Sequence, residues 1–109
     1  MSRTAAIAGL LVALAAAPAA ADMIDTPDCR RALTTADRLV QAIAARDKQF
    51  VPNDLATNCR LLRRNLDDMV KARGPMDRCL SGHEHGETVA QMDASIEDIR
   101  AAVARNCTP

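Results

Sequence analysis

Aromatic side chains are almost missing from this chain: Phe50 is the only one, and there is no Trp and no Tyr. That scarcity removes the stacking platforms on which proteins hold unpaired bases and the large anchors that usually dominate a tight protein interface. Net charge is lacking too. The 14 Lys and Arg are balanced by 14 Asp and Glu, which gives no long-range attraction to nucleic acid. No two cysteines are spaced CxxC, so the thioredoxin-like redox motif and the zinc-ribbon signature are both excluded. Alternating apolar runs and β-branched clusters are scarce, and no segment qualifies as a strand.

The one long apolar run stands at the start. "MSRTAAIAGLLVALAAAPAAAD" has the three parts of a secretory signal: Arg3, an apolar stretch from Ala5 to Ala17, and a small-x-small site after Pro18 that is open to cleavage before Asp22. The run falls short of the roughly 20 residues that span a bilayer, which makes an uncleaved anchor the weaker reading. No lipoprotein box is present, because Cys29 follows Thr-Pro-Asp. The expectation is a signal peptide over residues 1–21 and one exported domain over 22–109, periplasmic or extracellular. So short a chain buries a limited core and often needs a covalent staple. Four cysteines, an even number in an oxidising compartment, can supply it.

Three amphipathic helices follow. Thr26 caps the first, with Pro27 at its first position and Asp28 at the positive end of its dipole. Its stripe is Cys29, Leu33, Ala36, Val40 and Ile43, and Pro52 forbids continuation. The second starts at Asn53 or Asp54 with the stripe Leu55, Cys59, Leu62, Leu66 and Met69; Gly74-Pro75 is expected to end it. The third carries Val89, Met92, Ile96, Ile99 and Val103, with Cys107 beyond. Three such helices on short connections make an all-α, up-down-up three-helix bundle.

That topology selects one disulfide map from the three that four cysteines allow. Cys29 and Cys79 fall at one end of the bundle, Cys59 and Cys107 at the other. Opposite ends lie about 20 Å apart at 1.5 Å rise per residue, whereas a disulfide tolerates about 7 Å between Cα atoms. The pairs should be Cys29–Cys79 and Cys59–Cys107.

Charge is uneven along the chain. Residues 55–79 hold six basic against three acidic side chains, whereas residues 80–99 hold five carboxylates and no Lys or Arg. A functional reading makes the basic second helix a weak contact for anionic lipid or an acidic partner. The plainer reading, preferred here, is that adjacent helices of opposite sign complement each other. Surface pairs at i, i+4 (Arg63/Asp67, Arg64/Asp68, Asp67/Lys71) add to it.

Both histidines sit in "SGHEHGE", residues 81–87. His83, His85 and Glu87 are candidate ligands for a divalent metal such as copper, nickel or zinc. On a helix, however, His83 and His85 point to nearly opposite sides. The same letters contain a capping box, Ser81-x-x-Glu84, that would start helix 3. In that case His85 would be partly buried near the Cys29–Cys79 bridge, and Gly82 and Gly86 would let helix 1 approach. No serine or thiol has a poised base with an orienting carboxylate, so no catalytic activity is expected. The sequence thus points to an exported binding module with an unidentified protein partner, and the alternative is a periplasmic metal-binding or metal-sensing protein built on His83 and His85.

Overall fold

The computed structural model describes residues 22–107, and the signal peptide expected over 1–21 lies outside them. Three helices run up, down and up: α1 (Pro27–Asp47), α2 (Leu55–Cys79) and α3 (Gly82–Asn106). Among the described residues no helix is long and apolar enough to cross a membrane. The first two starts have local causes. The Thr26 hydroxyl accepts from the Cys29 amide at 3.1 Å, and Pro27 presets φ for the first turn. Asn53, at φ 65°, turns the chain so that Asp54 can accept from the Thr57 amide at 3.0 Å. The Asn58 side chain then closes the loop by bonding both the amide and the carbonyl of Val51.

Both disulfides form as the topology requires. Cys29–Cys79 joins the first turn of α1 to the last residue of α2 with Cα atoms 5.3 Å apart, and Cys59–Cys107 joins the start of α2 to the end of α3 at 5.1 Å. Each adjacent helix pair is thereby closed twice, by its connecting loop at one end and by a disulfide at the other.

The core between them is thin. Among the described residues only Ala36 and Ala72 are wholly excluded from solvent, with Met92 against them and Leu39, Val40, Met69 and Met76 packed around. Ile43, Leu61 and Ile96 are buried as well, but among the described residues no large side chain is completely so. Two facing alanines let α1 and α2 approach closely while contributing little apolar area.

In α1 and α3 the buried residues fall on the expected stripes. In α2 they do not. Leu55 is exposed, and the buried row is Leu61, Asn65, Ala72 and Cys79. α2 is the central helix and packs on both neighbours, while no Cα of α1 comes within 8 Å of one in α3. Its α1-facing row is polar in part because Arg46 crosses to it. The guanidinium donates to Asn65 Oδ1 at 2.9 Å and to Asp68 Oδ2 at 2.5 Å. Asp68 therefore answers Arg46 rather than Arg64, whereas Lys71 and Asp67 pair as the spacing suggested, at 2.8 Å.

Gly74-Pro75 does not end α2, which continues to Cys79 with the proline inside it. Proline forfeits the hydrogen bond to the Lys71 carbonyl. The final turn persists because Met76 packs on the core, Cys79 is buried in its disulfide, and the Leu80 amide donates to the Met76 carbonyl at 3.1 Å. Only Leu80 and Ser81 then separate α2 from α3. Alongside them runs the chain's one extended pairing among the described residues, an antiparallel bridge of Met23 with Leu80. The Ile24 amide donates to the Cys79 carbonyl and the Ser81 amide to the Asp22 carbonyl, both at 2.8 Å.

This pairing explains why the capping box does not form. Ser81 occupies the N-cap position, but its hydroxyl makes no capping bond. The Ser81 amide that Glu84 would have reached is already held by Asp22. Gly82 enters the helix at φ 59°, outside the right-handed region that the box requires. Nor do the glycines admit α1: a Cβ at Gly82 would come no nearer than 3.8 Å to Asp22, and one at Gly86 would meet nothing within 4 Å. Gly86→Ala should therefore stabilise the fold by about 1 kcal/mol through helix propensity, whereas Gly82→Ala should destabilise it by about 1 kcal/mol through its left-handed φ. Urea denaturation of the two variants reads both signs.

Candidate functional site

The histidine turn is the first place to look for chemistry, and the backbone separates its members. His83 is exposed and lies along α3 from Glu87, with Nε2 and Oε1 3.2 Å apart. His85, two residues on, points back to α2, where its Nε2 lies 2.9 Å from Asp77 Oδ1. A carboxylate only accepts, so Nε2 carries the proton in this contact. His83, His85 and Glu87 do not converge on one point, and no group of three or more His, Cys, Asp or Glu among the described residues is placed to hold a metal ion. His85 is partly buried, with 38 % of its side chain exposed, and belongs to a network that reaches the surface.

That network ties α2 to α3. Arg73 donates to both oxygens of Asp93, at 2.5 and 3.2 Å, and stands 3.9 Å from Asp77, which in turn meets His85. The opposite charges of α2 and α3 thus meet directly here. The Arg73 hydrogen bond holds the Asp93 carboxyl below its ordinary range, and Asp93 raises Arg73 in return. At the start of α2, the Thr57 amide and hydroxyl lower Asp54 in the same way. For both carboxylates the unfolded chain binds protons more readily than the folded one. Their contribution is complete above the unfolded pKa, near 3.9 for Asp, and disappears as pH falls through the lower folded values. Denaturation midpoints should be flat from pH 7 to about 5 and drop below about 4. Arg73→Gln should remove the share of that drop that belongs to Asp93.

A second feature lies between α1 and α3. Because the outer helices stand apart, two contiguous recesses open over α2, of about 290 and 220 Å³. They share Met76 and Thr88 on their walls. Leu33 and Val40 line the α1 side, and Met69 and Met76 come from α2. Met92 and Gln91 line the α3 side, and Met23 and Leu80 close one end. Every methionine after Met1 therefore lines this groove. Asp37 and Glu84 stand in it as well, and among the described residues no Lys or Arg lines it.

Sequence reasoning reached the histidines and missed the groove. Periodicity names the residues that face inward, but not the distance between two outer helices. The available signal was the four methionines themselves, which fall on inward positions of α2 and α3 and on the segment preceding α1. Compared with known proteins, the chain matches no family model, no curated protein and no solved structure.

Proposed function

We propose that this chain is an exported, non-catalytic module that binds another protein through the groove between α1 and α3. The observation that carries the reading is the collection of Met23, Met69, Met76 and Met92 along one apolar groove, Met92 buried and Met69 and Met76 partly buried there. Thioether side chains are unbranched and polarizable, and they adapt to irregular apolar partners. In a chain with a single aromatic residue they are the natural substitute for aromatic anchors. Two disulfides and a signal-like opening support an oxidising, exported setting.

Capture from periplasmic extract tests this. The wild-type chain should retain a protein that a Thr88→Arg variant, which fills the groove from a position shared by both recesses, does not retain. The variant should keep the parent melting temperature. Retention of nothing, or of the same proteins by both, contradicts the reading.

The metal-binding alternative requires His83, His85 and Glu87 at one point, and their geometry does not favour it. Cu(II), Ni(II) and Zn(II) should bind the wild-type chain no more tightly than a His83→Ala/His85→Ala variant. The lipid contact of the basic helix is also secondary, since Arg73 is committed to Asp93 and Lys71 to Asp67.

A further inference from the structure

We infer that the groove's occupant is an amphipathic helix with basic flanks, which completes a four-helix bundle. This deepens the binding-module reading and rests on it. Directly packed helices have axes 8–10 Å apart, and a helix has a Cα radius of about 2.3 Å, so their facing Cα atoms come well within 8 Å. α1 and α2 meet this condition, as do α2 and α3, whereas α1 and α3 do not. That is the relation of the diagonal pair in a four-helix bundle, in which one corner is empty.

The empty corner has the length and surface of a helix seat. Along α3 it runs from Glu84 to Ser95, about three turns at 1.5 Å per residue. Its apolar lining suits residues spaced i, i+3/i+4 and i+7 on one face of a guest helix. Its charge is one-sided. Asp37 on α1 and Glu84 on α3 flank the wider recess, and no Lys or Arg among the described residues lines either recess. The basic residues of α1 gather elsewhere, with Arg30, Arg31 and Arg38 around a separate recess. A guest with Lys or Arg beside its apolar face is matched by this arrangement, and one with Asp or Glu there is repelled.

The test uses the disulfide-bonded exported chain with ¹³C-methyl methionine and two synthetic peptides of about 14 residues, long enough for the three-turn groove. Both carry Leu at helical spacing on one face; one has Lys on its flanks and its twin has Glu. NMR titration to about 1 mM reads even weak association. The Lys peptide should shift the methyls of Met69, Met76 and Met92, with at least about tenfold tighter binding than the Glu twin. Asp37→Asn/Glu84→Gln should weaken the Lys peptide about tenfold and bring the twins together. Equal affinity of the twins, or no shift across the range, overturns the inference. So do methionine shifts that appear with protein concentration alone, which would make a second copy the occupant, or with neutral phosphatidylcholine vesicles, which would make it lipid. A captured extract protein that the Lys peptide fails to displace overturns the basic-helix assignment and leaves the binding module standing.

Discussion

Replacing Cys29 and Cys79 together by alanine should lower stability by about 4 kcal/mol, and Cys59→Ala/Cys107→Ala should do nearly the same. The bonds span 50 and 48 residues. In the chain-entropy account, a loop of that length costs the unfolded ensemble about 4 kcal/mol of conformational freedom. For a domain of this size that is a large part of a total stability of roughly 5–10 kcal/mol, because the core that must supply the rest is built around two alanines. Reduction of both bonds should abolish cooperative unfolding at 37 °C. The checks are urea denaturation of each double variant and near-UV-independent far-UV melting of the reduced chain, which has no Trp or Tyr to report on packing. A loss under 1 kcal/mol in either variant would show that the helices hold together through packing alone.

The second large effect is expected at Arg46. Its side chain is 11 % exposed and that of Asp68 is 14 %, and between α1 and α2 they meet Asn65, itself only 3 % exposed. Arg46→Ala removes the cation and leaves a largely buried carboxylate and a buried amide oxygen without their donors. Breaking such a pair from one side costs about 3 kcal/mol. The triple replacement Arg46→Met/Asn65→Leu/Asp68→Leu removes every partner at once and should come within about 1 kcal/mol of wild type, since an apolar substitute avoids the desolvation cost. If the single and triple variants are equally destabilised, what matters at this position is packing volume and not the unmatched charge.

The sequence carried the disulfide map because it follows from a length argument: helix direction and rise alone decide which cysteines can meet. Two of the three helix starts were equally legible, since Thr26 and Asp54 act on residues three positions away. The start of α3 was not. Its letters fit a capping box, but Asp22, some sixty positions earlier in the chain, takes the amide that the box needs. Asn65 was hidden for a similar reason. A polar residue in a buried row interrupts the apolar rhythm, and only the arrival of Arg46 from α1 explains why it is there. Pro75 misled in the opposite direction, because a local penalty was outweighed by a tertiary anchor at Cys79. The candidate groove depends on the spacing of two helices whose Cα atoms stay more than 8 Å apart, a quantity that no single-helix pattern contains.

The order of the cysteine pairs has a consequence for how this protein matures. The first cysteine bonds the third and the second bonds the fourth. If the chain is exported as proposed, an oxidant acting on it as it emerges meets Cys29 and Cys59 before Cys79, and a bond between those two has no place in the native pairing. Escape from that species requires thiolate attack on an existing disulfide, a reshuffling that takes seconds to hours depending on oxidant and isomerase. Yield of the native form should accordingly depend on a disulfide isomerase more than on an oxidase, and a host that supplies only the oxidase should accumulate Cys29–Cys59 isomers.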